Sequence, residues 1–330
     1  MPEWSTALPD WEDRIVKGLP LVPCAPLFPQ VADIALRIFK ELVLVDVIGS
    51  PKMAEVTRQW VYDFVAAIAG SYDPGSKKRR VREFVMLISK KNSKSTIAAG
   101  VMLVLFLLNE RQSAEMIILA PTKEVADNSF NPMRDFVRAD DELSAMLNIS
   151  EHTKTITHLG NGATLKVIAA EANAAAGKKA SIILVDEVWL FGKRSNAESM
   201  FREAKGGLTS RPEGCIIYLS TMSDEQPCGV FKQLLDYARD VRDGIKIDPR
   251  FLPVIYEFPQ HMLEAGDHLK PENFYVTNPN LGASVSLEYL EDEFRKVEDA
   301  GEESKRDFLA KHLNVEIGLN LRANRWAGAE

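Results

Sequence analysis

Short apolar runs alternate with helix-forming stretches through the middle of this chain, and that alternation restricts the fold more than any other feature. The runs 83–88, 116–121, 181–186, 215–221 and 251–258 are each short enough for a buried strand. The stretches 95–109, 123–139, 196–206 and 230–243 lie between them and predict helices. Strands that alternate with helices predict an α/β fold, with a mostly parallel sheet covered on both faces. An Asn161-Gly162 dipeptide predicts a hairpin over 154–169, because both central positions of a tight hairpin turn want positive φ. Around this core, residues 1–55 read as a helical N-terminal segment punctuated by Pro20, Pro23, Pro26 and Pro29. The core itself is expected over 56–258. Residues 259–330 then form a smaller helical segment, with a turn at Thr277-Asn278-Pro279-Asn280 and two charged helices over 287–300 and 303–313.

Composition excludes several classes. With 46% hydrophobic and 26% charged residues the chain is that of a globular protein. Its three cysteines, Cys24, Cys215 and Cys228, are scattered and form no CxxC pair, so neither a disulfide framework nor a zinc site is expected. The longest apolar run, 97–108, is far short of the roughly 20 residues a membrane span needs. Trp4, Asp10, Trp11, Glu12 and Asp13 stand where a secretory leader would need a cationic end and an apolar stretch.

The most informative stretch is Ile88-Ser89-Lys90-Lys91-Asn92-Ser93-Lys94-Ser95-Thr96, between a predicted strand and an apolar helix. A phosphate-binding loop needs backbone N–H groups wrapped around the phosphates, a lysine for the β/γ-phosphates and a hydroxyl for Mg²⁺. Lys94 and Ser95 fit the last two roles, and a helix N-terminus behind them favours an anion. Both glycines of G-x-x-x-x-G-K-[ST] are replaced, by Ile88 and Ser93. Taken alone, the stretch equally describes a basic surface turn opening a helix.

Downstream, Ser181-Ile182-Ile183-Leu184-Val185-Asp186-Glu187 is an apolar strand ending in two carboxylates. Asp186 suits a water-mediated Mg²⁺ contact and Glu187 a general base. Phosphoryl transfer through a loose transition state asks for little beyond positioning and charge stabilisation. The strand ending in Ser220-Thr221 offers hydroxyls that suit a γ-phosphate sensor. This reading expects the strands in one sheet, with Lys94, Asp186 and Ser220 meeting at its C-terminal edge.

Lys90-Lys91-Asn92-Ser93-Lys94-Ser95 resembles the deviant phosphate loop of large terminase subunits from tailed phages, which runs close to R/K-K-N-G-K-S. Ala120-Pro121-Thr122, Val185-Asp186-Glu187 and Ser220-Thr221 match further motifs of that family in order. Asn278-Pro279-Asn280-Leu281 and His312-Leu313-Asn314 resemble turns of the segment that joins motor to nuclease. The likeness covers residues 55–320. It implies a RecA-like P-loop NTPase that hydrolyses ATP with Mg²⁺ and drives double-stranded DNA into a procapsid. Catalysis would fall to Glu187, Lys94 and Lys90, nucleotide binding to Ser89 through Thr96 with Ser220 and Thr221, and metal binding to Ser95 and Asp186. Gln59 is a weak candidate for the adenine contact; a solvated helix position is the competing reading. The implied partners are DNA, a portal protein, a small terminase subunit and further copies of the chain in a ring, with the isolated chain a monomer. The implied location is the bacterial host's cytoplasm. The residues after Asn314 are too few for a nuclease domain, so nuclease activity is not expected from this chain.

The sequence departs from the family pattern at Ser93, which predicts a stiffer loop, and at Ala176, where several related motors carry a trans-acting arginine before a glycine. Lys178 and Lys179 lie close by but lack arginine's fork. Arg194, Arg202 and Arg211 are alternative trans donors. A formal net charge of −7 excludes coating a duplex with cations, so any grip on DNA must be local or shared between subunits. The basic cluster Lys77-Lys78-Arg79-Arg80 with Arg82 is expected in a solvated loop at a sheet edge, His152 and His158 as structural residues, and Trp189 and Phe191 as core or interface anchors. Two other functions compete. A helicase-like remodeller would need a second motor domain that 259–330 cannot supply, and an assembly module with a degenerate loop would not need Lys94, Ser95, Asp186 and Glu187 intact.

Overall fold

The computed structural model describes residues 4–170 and 180–318. The chain opens with helices α1 (Trp11–Val16), α2 (Pro29–Glu41), α3 (Met53–Val56) and α4 (Gln59–Ala69), then a small hairpin of β1 (Tyr72–Asp73) and β2 (Lys78–Arg79). The main run is β3 (Glu83–Leu87), α5 (Lys94–Leu107), β4 (Glu115–Ala120), α6 (Lys123–Arg138) and α7 (Asp141–Met146), followed by β5 (Leu147–Ser150), β6 (Thr155–His158) and β7 (Thr164–Ala169). It continues through β8 (Ile182–Val185), α8 (Val188–Phe191), α9 (Ala197–Gly207), β9 (Cys215–Ser220), α10 (Gly229–Arg242) and β10 (Phe251–Ile255). The C-terminal segment holds α11 (Gln260–Glu264), α12 (Leu287–Ala300) and α13 (Glu302–Leu313).

Eight strands form one sheet in the order β10-β3-β9-β8-β4-β7-β6-β5. Six of them, β10 through β7 in that order, are parallel, and β6 and β5 finish the sheet antiparallel. This is the predicted α/β fold. Every residue of β8, β9 and β10 is buried, because helices cover both faces and a parallel strand then reads as one apolar run. Pro253 sits in β10, an edge strand, where its missing N–H interrupts no ladder. One core fills each face, one around Phe39, Phe64, Met102 and Phe308 and the other around Val188, Phe191, Met200 and Leu235.

Two features of this arrangement matter for function. β9 inserts between β3 and β8, so the loop after β9 lies between the loops that follow the other two. Helix α5 is buried almost all round, which an apolar helix in the middle of a layer requires. Gly100 allows α2 to cover it, since a Cβ there would stand 2.7 Å from the Phe39 ring.

The basic cluster is solvated only in part: Lys77, Lys78 and Arg80 are exposed, whereas Arg79 and Arg82 turn to the protein. Arg79 is buried and donates to the Glu213 carbonyl and the Ser71 hydroxyl, while Arg82 donates to the carbonyls of Leu208, Arg211 and Gly214. β3, which follows, is an inner strand rather than an edge. These guanidiniums bind backbone carbonyls around the N-terminal ends of the strands. The predicted hairpin spans β6 and β7, and β5 extends it to a three-stranded meander that the sequence reading did not include.

Gly229 opens α10 with φ +52°, and a Cβ there would meet the Gly192 carbonyl at the end of α8. Gly229→Ala is expected to lower stability by about 1–3 kcal/mol in urea unfolding. Gly206→Ala, inside α9 with open space around it, is expected to be neutral or to add up to about 1 kcal/mol.

Candidate nucleotide-binding site

The loops after β3, β8 and β9 converge at the C-terminal edge of the sheet. Lys94, the first residue of α5, is 8% exposed, and its Nζ donates to Asp186 Oδ1 at 2.7 Å and Glu187 Oε1 at 2.6 Å. Burial works against the ammonium, but the attraction of the two carboxylates outweighs it and the pKa is raised. Asp186 has no solvent access. Its Oδ1 also accepts from the Glu187 backbone N–H at 2.9 Å, and its Oδ2 accepts from the Ser129 hydroxyl at 3.1 Å. From β9, the Ser220 hydroxyl accepts from the Trp189 backbone N–H at 3.1 Å and donates to the Thr221 carbonyl at 2.8 Å. Sheet order produces this convergence. Parallel strands end on the same edge, and β9, between β3 and β8, brings Ser220 to it as well.

The loop 88–93 owes its shape to the C-terminal segment. The buried Asn92 side chain donates to the Ser89 carbonyl at 3.0 Å and to Asn278 Oδ1 at 2.8 Å, and it accepts from the Asn280 N–H at 3.0 Å. Ser284 Oγ donates to the Lys91 carbonyl at 2.7 Å, and the Lys90 N–H donates to the Lys311 carbonyl at 2.8 Å. Lys91 and Ser93 lie at φ +73° and +59°, the left-handed region that the missing glycine would occupy without strain. Both lysine side chains, Lys90 and Lys91, are exposed, and Ser95 and Thr96 are half-buried on the first turn of α5. The Ser89 hydroxyl is buried with no hydrogen-bond partner, an orphaned polar group in the loop.

A cavity of about 490 Å³ opens beside that first turn, lined by Ser93, Thr96, Ile97, Met53, Val56 and Arg58. Gln59 is not among its lining residues. It is exposed, donates to Asp63 at 2.8 Å, and borders a separate cavity with Trp60, Tyr256 and Tyr275. The structure therefore does not bring Gln59 to the loop, because α4 turns it away from α5. A further cavity of about 370 Å³, beside Tyr72, Arg79 and Glu213, lies at the opposite edge of the sheet and shares no residue with the site.

Sequence reasoning missed Ser129, which reaches Asp186 from α6, as well as Lys311 and the role of Trp189. Each makes its contact from a helix, where sequence pattern does not say what lies opposite. Of the three alternative arginines, Arg194 is engaged by the carbonyls of Ala170 and Pro121, and Arg211 lies at the N-terminal edge of β9, away from the site. Arg202 is exposed on α9 and pairs with Glu198 one turn away. Ala176, Gly177, Lys178 and Lys179 lie outside the described residues. His152 is exposed; His158 packs edge-on against Phe106, and Phe191 is core.

The sheet order, the loop between β3 and α5, and the paired acids after β8 define a P-loop fold of RecA-like architecture. Within that class, the family described as terminase large subunit, ATPase domain, matches residues 63–240, more than half of the chain, and the chain belongs to it. The HK97 bacteriophage large terminase has the same fold, with a TM-score of 0.71 at 19% identity, over 86% of this chain and 55% of that one. The chain thus spans about half the length of that protein. The large terminase ATPase domain of Thermus phage P74-26 matches with a TM-score of 0.46 at 13% identity, over 72% of this chain and 91% of that one. No curated protein sequence matches.

Ser93→Gly is expected to leave stability unchanged or raise it by up to about 1 kcal/mol, since relief of left-handed strain is partly offset by the entropy of glycine. Ser93→Val is expected to cost more than about 1 kcal/mol in the same denaturant titration. A second expectation concerns His312 of α13, whose pKa is lowered to about 4 by burial and then by Lys90. Its unfolded value is near 6.5, so the unfolded chain takes up the proton first. The stability this neutral histidine contributes is present above pH 6.5 and is lost as the pH falls towards 4. Compared with His312→Phe, the wild type should lose up to about 3 kcal/mol across that window.

Proposed function

We propose that this chain hydrolyses ATP with Mg²⁺ and uses the cycle to translocate double-stranded viral DNA into a procapsid, as the motor part of a phage terminase large subunit. The observation that carries this reading is the meeting of Lys94 with both Asp186 and Glu187 at the N-terminus of a buried helix. A lysine that reaches both acids also reaches the space between them and the loop, where the β- and γ-phosphates would lie.

The residues present fit a magnesium nucleotide. Ser95 and Asp186 would hold Mg²⁺, which supplies charge neutralisation on the phosphate oxygens when bound. Among the described residues no group of three or more His, Cys, Asp or Glu is placed to hold a metal. Few protein ligands are what Mg²⁺ takes when phosphates and waters complete its shell. The backbone of Ser89 through Ser93 would wrap the phosphates, with the unpartnered Ser89 hydroxyl as an additional donor. Lys94 would turn from the carboxylates to the phosphates, freeing Glu187 Oε1 to take a proton from the attacking water. Ser220 and Thr221 would sense the γ-phosphate from β9. The 490 Å³ cavity, rather than Gln59, would take the base, with Met53 and Val56 as its apolar walls and Thr96 at its mouth.

Residues 1–55 would cover the motor core of 56–258, and 259–330 would join it to whatever follows. Further copies in a ring on the portal, a small terminase subunit and DNA would be the partners, in the host cytoplasm. The isolated chain would be a monomer. Among the described residues no helix is long and apolar enough to cross a membrane. Arg202 is the remaining candidate of the three for a charge supplied to a neighbouring subunit.

Glu187→Gln is expected to keep nucleotide binding and to lower turnover by roughly 100-fold, the scale of a lost general base. Lys94→Ala is expected to weaken binding of a fluorescent ATP analogue as well. Equal hydrolysis by wild type and Glu187→Gln removes Glu187 from its role.

A further inference from the structure

Glu187 is held in an unusual way for a residue with a side chain. Its φ is +52°, a left-handed conformation that costs a non-glycine residue roughly 1–2 kcal/mol and persists only where the surroundings enforce it. Two donors fix its carboxylate. Lys94 binds Oε1, and the Trp189 indole Nε1–H donates to Oε2 at 2.8 Å. Lys94 is the donor with another task, because the phosphates compete for it. The indole has no such competitor.

Trp189 is itself fixed from two sides. Its backbone N–H donates to Ser220 at the end of β9. On its face lies the ammonium of Lys311, 3.1 Å from the ring centroid. Lys311 belongs to α13 and its side chain is 9% exposed, with only long contacts to the Met222 carbonyl and Asp224, both at 3.4 Å. Burial lowers its pKa, while Asp224 and Glu187 act in the opposite direction. A buried lysine with loose polar contacts draws its compensation from the ring face, which attracts a desolvated cation strongly. The carbonyl of the same residue accepts from the Lys90 N–H, so Lys311 touches the phosphate loop through its backbone and the tryptophan through its side chain.

We propose that Trp189 is the positioning residue of the catalytic base: its indole N–H orients the Glu187 carboxylate, and Lys311 of α13 fixes the indole. The inference rests on the assignment of Glu187 as the base. Once Lys94 turns to the phosphates, the indole bond is what keeps Oε2 anchored and Oε1 directed at water. A cation on the ring draws electron density from the indole and strengthens its N–H as a donor. The C-terminal segment thereby acts on the base as well as on the loop.

The test is a mutant cycle in the full chain, with single-turnover ATP hydrolysis and binding of a fluorescent ATP analogue as readouts. Trp189→Phe keeps the ring and removes the donor. It is expected to slow hydrolysis about 10-fold, the scale of one lost hydrogen bond, with nucleotide affinity within about twofold of wild type. Lys311→Met keeps the buried stem and removes the cation, and is expected to slow hydrolysis about 3-fold or more with affinity again unchanged. Because both act through Glu187, neither should slow the Glu187→Gln variant further. The Trp189 assignment is overturned if Trp189→Phe hydrolyses at the wild-type rate, if it slows Glu187→Gln by the same factor as wild type, or if affinity falls in step with rate. Wild-type hydrolysis by Lys311→Met overturns the part assigned to Lys311. Glu187→Gln measured alone distinguishes failure of the base assignment: if it hydrolyses like wild type, that assignment falls, and the positioning role falls with it.

Discussion

Lys94 lies between Asp186 and Glu187 with almost no access to solvent, and those two acids stand 92 and 93 positions further along the chain. Two carboxylates share one ammonium where Asp186 is fully buried and Glu187 only partly exposed. Such a group is expensive to bury and is tolerated only when every remaining lone pair finds a donor. Here Ser129, the Glu187 backbone and the Trp189 indole supply those donors. Four elements must be in place at once for that to hold: the start of α5, the end of β8, the start of α8, and the buried face of α6. The ion pair is thus a condition on the whole sheet rather than a local contact.

The same logic recurs past the end of the neighbouring strand β10. Glu257 follows β10 and is buried between Arg239 and Arg242 of α10, whose attraction outweighs burial and lowers its pKa. Arg239 also binds Glu316, and Arg242 lies 3.7 Å from the centroid of Trp11. Through this network the first helix and the end of the described chain attach to the same strand. This second cluster therefore binds the terminal segments to the sheet.

Much of this was legible from residue order. Buried parallel strands announce themselves as short apolar runs, so β3, β4, β8, β9 and β10 lie within a residue or a few of where the sequence reading puts them. Lys94, Asp186, Glu187 and Ser220 were legible because each stands at a strand end or helix start, where sequence position and spatial position coincide. Contacts between helix faces were not. Ser129, Trp189 and Lys311 each make their contact from a helix, and nothing in their spacing says which carboxylate or ring lies opposite. Gln59 is the exposed helix position that the competing reading expected: its place upstream of the loop is a matter of sequence, while the direction it faces is set by how α4 packs. Arg79 and Arg82 read as a solvated cluster because composition cannot reveal which backbone carbonyls wait for a donor at the strand ends.

Asn92 shows how far a short motif extends beyond itself. Its amide is met by Asn278 and Asn280, more than 180 positions away, and the carbonyls around it are held by Ser284 and its own side chain. A loop that lacks glycines cannot rely on intrinsic backbone freedom to find its curvature. This one has its curvature imposed from outside, as a mould imposes it on a casting. A protein cut after β10 would keep every residue of the phosphate motif and lose the surface that bends it, so the smallest unit with a formed loop is larger than the stretch over which the motifs occur.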